Sequence, residues 1–172
     1  KQKTAYEIGV RLVGSEMCIR DRIYTYPGHF ADEFFALQQR FTKGIFSHET
    51  ALFLHGLSDE NIGEYVMTFP LGYHNPRLGE AFVIPKTMRE DRYQLGAMTL
   101  PSPAGNPLTV YNLERTLCDL WHPRHPADHY LKVDALKRYL QRPEKDFFRL
   151  SQYAKQLGTS PDLATAVEVL RQ

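Results

Sequence analysis

Histidine is the residue type in this sequence that most readily suggests chemistry, and it occurs seven times. Imidazole nitrogens bind zinc where three or four ligands converge with a defined geometry. His48 and His55 are two helical turns apart, and no HExxH motif occurs. His122, His125 and His129 are separated by two prolines, so they share no rigid face. We therefore interpret the histidines as capping, surface or core-edge residues, and we predict no metal ion and no cofactor.

The stretch NLERTLCDL (112–120) places two carboxylates and a guanidinium on one predicted helix, at Glu114, Arg115 and Asp119. Glu114 and Asp119 could bind a divalent metal ion in a nuclease-like enzyme, although such a site normally takes further carboxylates from strands. Arg115 and Asp119 are four residues apart and can pair across one helical turn. We predict that the three residues form a structural ion-pair network that holds the helix to the sheet, and we predict no catalytic residue. The nuclease is the alternative.

Basic residues accumulate in the C-terminal part of the chain. Such residues form either a solvated outer face or a surface that contacts an acidic partner or RNA. We predict an interaction surface, and we expect charge reversal of Arg138 and Arg142 to abolish the function of this surface while leaving the fold intact. The predicted surface consists of Lys132, Lys137, Arg138, Arg142, Lys145 and Arg149.

Hydrophobic periodicity and turn residues indicate which elements position these side chains. Helices are predicted over 31–41 and 48–56, strands over 64–70 and 81–87, and a pair of strands over 93–112. About four helices follow from residue 113. This order predicts an α+β fold, in which a small mixed or antiparallel sheet in the middle of the chain is packed by helices and followed by a C-terminal helical bundle.

Prolines and glycines divide the C-terminal helices. Pro126 and Pro143 are expected in the first turns of the second and third of these helices, where a missing backbone N–H costs nothing. Gly158 is expected to end the third helix, and Ser160-Pro161-Asp162 is a start signal for the last one.

Composition narrows the class of protein. The net charge of +1 gives no argument for nucleic-acid binding, because five of the 21 basic residues but only three of the 20 acidic ones lie within 1–22. No apolar run approaches the roughly 20 residues that a membrane helix requires. Outside 1–22 one cysteine remains, Cys118, which is too few for a disulfide framework or a zinc cluster. These features predict a cytoplasmic protein without membrane contact.

Residues 1–22 differ from the remainder of the chain. RLVGSEMCIRDR (11–22) has no hydrophobic period, and VGSEMCIRDR resembles the translated read-through of a sequencing adapter. We interpret 1–22 as an artefact of this kind or as a disordered tail, fused to a gene truncated at its N-terminus, and we exclude it from the predicted fold.

Two longer stretches resemble the AbiEi family of antitoxins from type IV toxin–antitoxin systems, which act in abortive infection and phage defence. These are GIFSHETALFLHGLSDENIGEYVMTFPLGYH (44–74) and VYNLERTLCDLWHPRHPADHYLKVDALKRYLQR (110–142). The SHETALFLHGL segment, the TFP-x-GY turn and YNLERTLCDL occur in the family's order. The resemblance implies a protein that is not an enzyme and that counters a nucleotidyltransferase toxin similar to AbiEii, with or without a stable complex.

The resemblance also implies a domain organisation. Members of the family join an N-terminal winged helix, which binds operator DNA as a transcriptional regulator, to a C-terminal antitoxin domain. Residues 23–30 would then be the remnant of a wing strand, and 31–172 the antitoxin domain. The recognition helix would have been encoded upstream, so operator DNA would be bound only through the missing N-terminal domain.

Overall fold

The computed structural model describes residues 3–4, 16–18, 23–25, 32–59 and 63–171. The strands are β1 (Lys3–Thr4), β2 (Glu16–Cys18), β3 (Ile23–Thr25), β4 (Ile45–Phe46), β5 (Tyr65–Pro70), β6 (Val83–Met88), β7 (Ala97–Pro101) and β8 (Pro107–Tyr111). The helices are α1 (Glu33–Arg40), α2 (His48–Leu54), α3 (Glu90–Tyr93), α4 (Leu113–Leu120), α5 (His129–Leu140), α6 (Phe147–Leu157) and α7 (Asp162–Leu170), with a 3-10 helix at Gly79–Ala81.

The central sheet has five strands in the order β6-β5-β4-β8-β7. Strands β5 and β6 are parallel, as are β4 and β8, whereas β4–β5 and β7–β8 are antiparallel. The short strand β4 is central in the sheet, because Phe46 pairs with Met67 of β5 on one side and with Val110 of β8 on the other. The predicted α+β class, with a mixed sheet followed by four helices, is confirmed.

A second, smaller sheet has the order β1-β3-β2, and both of its strand pairs are antiparallel. Two of its strands lie within 1–22, the segment that the sequence analysis excluded from the fold. Strand β3 lies within 23–30, and its assignment to a winged-helix wing stays a prediction, as does the domain boundary at residue 31.

Helix α1 is fixed to the sheet through its N-cap residue, Asp32, and through Gln38 in its second turn. Asp32 caps the helix by accepting a hydrogen bond from the backbone N–H of Phe35 at 3.0 Å, and it also accepts from Ser102 Oγ and from Asn106 Nδ2 in the β7–β8 turn. Gln38 donates to the Gly44 carbonyl at 2.8 Å and accepts from the backbone of Thr109 at 2.9 Å. These bonds set the distance between α1 and β8.

The apolar core falls into two main clusters. One lies between α1 and the sheet and contains Leu37, Phe41, Phe46, Ala51, Met67, Phe69, Leu78, Val83, Leu108 and Val110. The other joins the C-terminal helices and contains Leu52, Leu57, Leu117, Cys118, Leu120, Trp121, Leu131, Ala135, Leu136, Tyr139, Leu150, Leu157 and Leu163. Helix α2 belongs to both clusters, because Ala51 faces the sheet and Leu52 faces the helices.

Two local predictions differ from the structure, and a third agrees with it. Helices α5 and α6 begin after Asp128 and Asp146, whose carboxylates accept backbone N–H groups of the first turn, so Pro126 and Pro143 lie before the helices. Tyr93, the first residue of the predicted strand pair, lies in the short helix α3 (Glu90–Tyr93), and the first strand of the pair begins at Ala97. Gly158 ends α6 at φ +72° as predicted.

Within the described ranges, no helix is both long enough and apolar enough to cross a membrane.

Candidate functional site

The guanidinium of Arg115 is fully buried and donates hydrogen bonds to three acceptors. Its Nε donates to Asp119 Oδ2 at 2.8 Å, across one turn of α4. Its Nη1 donates to the carbonyls of Arg92 and Leu95 at 2.8 and 3.0 Å, and the group lies over the ring of Tyr111, 4.3 Å from the centroid. The predicted Arg115–Asp119 pair is present, and Arg115 joins α4 to α3 and to the turn that follows it.

Asp119 is sealed inside this arrangement. Its burial raises the pKa of the carboxyl, an effect that the charge and hydrogen bond of Arg115 oppose. The carboxylate of Asp119 pairs with Arg115 through Oδ2, and the residue is only 4% exposed to solvent.

Glu114 belongs to a different network from the one that was predicted. Its Oε1 accepts hydrogen bonds from Tyr139 Oη at 3.1 Å and from the backbone N–H of Asp146 at 3.2 Å. Its Oε2 lies 3.7 Å from Arg149 Nη1. The sequence predicts one network for Glu114 and Arg115, but neighbouring helical residues point about 100° apart, so the two side chains reach different elements. Glu114 joins α4 to α5 and α6.

The two carboxylates of the alternative nuclease site are thus separated by the helix itself. Residues five positions apart on an α-helix point about 140° apart, and Glu114 and Asp119 are both buried with different partners. In the part of the chain that the structure describes, no three His, Cys, Asp or Glu side chains are arranged to hold a metal ion.

The structure brings together two histidines that the sequence analysis considered separately. The rings of His48 and His125 lie 4.6 Å apart, and His125 Nε2 is 2.7 Å from Glu49 Oε1. Ser47 Oγ lies 3.0 Å from His48 Nδ1 and accepts a hydrogen bond from Thr68 Oγ1 at 2.9 Å. This polar cluster joins the start of α2 to β5 and to the connection between α4 and α5.

His48 has an unusual backbone and an unusual pKa. Its φ of +51° lies in the left-handed region, which a non-glycine residue seldom adopts. Burial, followed by the nearby His125, lowers its pKa to about 3, although Glu49 acts in the opposite direction. His48 is therefore a neutral, hydrogen-bonded residue at physiological pH, in agreement with the predicted core-edge role.

Glu49 is the partly exposed member of the same cluster. Its burial acts to raise the pKa of the carboxyl, but the hydrogen bond and charge of His125 outweigh this effect and lower the pKa overall. The sequence contains no signal for the cluster, since His48 and His125 are far apart in the chain and become neighbours only when α2 packs on α4.

Two arginines of the predicted interaction surface hold structural contacts. Arg142 Nη2 donates to the carbonyl of His55 at 2.8 Å and reaches that of Gly56 at 3.4 Å, so that it caps the C-terminal end of α2. Arg138 lies 2.7 Å from Asp59 and 2.9 Å from Asp134. The positive charge of Arg142 therefore stabilises the end of another helix, so we now expect charge reversal at Arg142 to destabilise the fold. For Arg138 the original expectation stays a prediction.

The other four residues of that surface divide equally. Arg149 pairs with Glu114 and with Asp146, and Lys145 donates to the carbonyl of Arg142 at 3.0 Å. Lys132 and Lys137, both on α5, have neither an ion pair nor a side-chain hydrogen bond among the described residues. The charge of Lys145 is not neutralised, because its partner is an uncharged carbonyl.

The described residues thus define an α+β domain in which the charged residues of α4 are structural. No family model and no curated protein matches the chain. Its fold is similar to the crystal structure of the RV2827C protein from Mycobacterium tuberculosis, with a TM-score of 0.59, 15% sequence identity and coverage of 87% of this chain. The match covers 57% of that protein, so this chain spans little more than half its length. At this identity the likeness concerns the fold alone.

Proposed function

We propose that this chain is the antitoxin component of a type IV, AbiE-like toxin–antitoxin system, and that it acts by binding another macromolecule and not by catalysis. The proposal begins from the resemblance of 44–74 and 110–142 to the AbiEi family. Its functional counterpart would be a nucleotidyltransferase toxin, and its place of action the cytoplasm.

The packing of the two resembling stretches supports this proposal. His55 of the first stretch lies 2.7 Å from the Tyr111 carbonyl of the second, and His125 lies 2.7 Å from Glu49. Helix α2 packs directly on α4. The two segments that carry the resemblance therefore form one contiguous structural unit.

The single observation that carries the binding role is the state of the α4 charges. Arg115, Asp119 and Glu114 are all buried and engaged in bonds that join elements of the fold. Catalytic carboxylates must reach a substrate or its metal ion, whereas these carboxylates reach only the protein itself. Among the described residues, Lys132 and Lys137 on α5 have no ion-pair partner, and their positive charge suits contact with an acidic target or RNA.

Rescue of growth tests the antitoxin role. Cells that express the nucleotidyltransferase toxin encoded beside this gene are expected to grow when this chain is co-expressed, and Lys132→Glu/Lys137→Glu is expected to weaken the rescue at least about tenfold in viable counts. Arg77→Glu/Arg124→Glu, at two exposed positions away from α5 and with the same change in charge, is the matched control. Absence of rescue by the wild-type chain would contradict the proposed function.

An enzymatic assay addresses the alternative. The purified chain is incubated with labelled RNA or DNA and Mg²⁺ or Mn²⁺, and we expect no cleavage above that of an Asp119→Asn variant. Cleavage that depends on both Glu114 and Asp119 would reinstate the nuclease.

Operator binding belongs to the longer parent protein in this proposal. A chain in which the natural genomic coding sequence replaces residues 1–22 is expected to bind its own promoter DNA and retard it in a mobility-shift assay. Residues 31–172 alone are not expected to retard this DNA. Recovery of the upstream genomic sequence would show whether a winged helix is encoded there.

A further inference from the structure

The last two helices, α6 and α7, border an apolar hollow at the surface of the domain. It has a volume of about 560 Å³ and lies between α6 and α7. Its floor is formed by Leu150 and Leu163, both buried, and its walls by Ala154, Val167 and Phe147. The helices run antiparallel, because Arg171, just after α7, lies over the ring of Phe147 at the start of α6.

A second hollow adjoins the first. It has a volume of about 420 Å³ and is lined by α5, by Phe147 and by the end of α7. Phe147 and Arg171 line both hollows, so their stacked pair, 4.6 Å from guanidinium carbon to ring centroid, forms the ridge between them. The two hollows thus make one elongated groove, interrupted by this ridge.

Exposed aromatic surface continues the groove along α6. Phe148 is 74% exposed, and it shares a helical face with Ser151 and Lys155, which line the first hollow, at the spacing i, i+3, i+7. Covering the exposed ring of Phe148 would remove apolar surface from water, and exposed apolar patches mark interaction sites.

The charge around the groove is strongly one-sided. The residues that line the two hollows include one carboxylate, that of Glu168, and four cations. These cations are Lys137, Lys145, Lys155 and Arg171. Two of them, Lys137 and Lys145, belong to the interaction surface predicted from the sequence.

We propose that this groove binds an acidic amphipathic helix of a protein partner, with apolar side chains in the hollows and carboxylates against the four cations. The proposal rests on the proposed binding role of the domain, and it names the chemistry of the partner. Two antiparallel walls of 11 and 9 residues extend over about 14–16 Å, which matches a helix with apolar anchors at i, i+3 or i+4, and i+7.

Other occupants fit the groove less well. A second copy of this chain would bring two cationic rims together, which electrostatic repulsion opposes. RNA would be attracted by the same cations, but its phosphates cannot fill an apolar floor made of leucine, alanine and valine side chains.

Peptide binding tests the proposal directly. Three fluorescein-labelled 15-residue helical peptides are titrated with the full chain, and anisotropy is recorded. The first has leucine at i, i+3, i+4 and i+7 with glutamate on its flanks; the second has lysine in place of glutamate; the third has alanine in place of leucine. We expect a dissociation constant below about 100 µM for the first peptide and at least tenfold weaker binding for the other two.

Substitutions locate the binding site. Ala164→Trp fills the first hollow from an exposed position and is expected to weaken binding of the acidic peptide at least tenfold, whereas Val169→Trp, at an exposed position outside the lining of either hollow, is not. Lys155→Glu is expected to weaken it several-fold, whereas Lys43→Glu, the same charge reversal at an exposed position that lines neither hollow, is not. Circular dichroism verifies that each variant is folded.

The proposal is overturned if the acidic peptide does not bind, if the basic peptide or a single-stranded RNA 12-mer binds as tightly, if Ala164→Trp has no effect, or if light scattering shows that the groove is covered by self-association. Because these measurements need no toxin, they are separable from the growth assay. Rescue without peptide binding would refute the groove and leave the antitoxin proposal standing.

Discussion

His48 combines three features that seldom occur together in a non-glycine residue: a left-handed backbone, burial and a charged neighbour. The positive φ costs of the order of 1 kcal/mol or more, and the residue persists there because it is buried and its ring contacts Ser47 and His125. Burial also makes the protonated form unfavourable. The pKa of about 3 is therefore a statement about stability as well as ionisation.

We predict that His48 makes this fold sensitive to acid. The pKa of His48 is near the ordinary histidine value of 6.5 in the unfolded chain and about 3 in the folded chain. The contribution of this residue to stability is therefore fully present above pH 6.5 and is lost as the pH falls toward 3. His48→Asn keeps a residue that tolerates positive φ and removes the titration. Its free energy of unfolding in urea should fall less between pH 7 and pH 5 than that of the wild type, by about 1–2 kcal/mol. Parallel pH profiles would contradict this role of His48.

Asp119 tests the buried ion pair at the same scale. Asp119→Ala leaves the Arg115 guanidinium fully buried and without its carboxylate, which costs about 3–5 kcal/mol. The midpoint of urea unfolding should fall accordingly, and Asp119→Asn, which retains an oxygen acceptor for Arg115 Nε, should lose clearly less. A loss below about 1 kcal/mol in Asp119→Ala would show that the pair is not a principal connection between α4 and the 92–95 segment.

At the scale of elements, the C-terminal end of α2 depends on a residue of a different helix. Arg142 follows α5 and donates to carbonyls at the end of α2, where the helix dipole is negative. Helix α2 has only seven residues and contributes to both core clusters, so its termini matter more than those of a longer helix.

We predict that Arg142→Met lowers the stability of the fold by about 1–2 kcal/mol, because it removes charged hydrogen bonds to the end of α2 but keeps the aliphatic part of the side chain. Lys132→Met, which removes the same charge without a partner among the described residues, should change stability by less than about 0.5 kcal/mol. Thermal unfolding followed at 222 nm distinguishes them; equal midpoints would mean that Arg142 is a surface charge only.

For the whole molecule, α2 and the bonds of Arg115 join the sheet cluster to the helical cluster. We predict a single cooperative unfolding transition of the described domain, since neither cluster keeps its contacts when the other unfolds. Trp121, the one tryptophan of the chain, is 6% exposed and lies in the helical cluster, so its fluorescence reports on that part. Circular dichroism at 222 nm and near-ultraviolet tyrosine signals report more widely, and the three curves in urea should coincide. Two separate midpoints would indicate that the clusters unfold independently.

The sequence by itself determined the fold class, most of the helices and strands, the end of α6 at Gly158 and the pairing of Arg115 with Asp119. All of these depend on residues within about two turns of one another, so periodicity, capping and the i, i+4 spacing are sufficient to predict them. Only the tertiary structure decided which distant groups meet. His125 reaches Glu49 across 76 residues and Arg142 reaches the end of α2 across 87, while Arg149 takes Glu114 as its partner. Such contacts depend on how whole elements pack around a shared core, which short-range patterns in a chain do not encode.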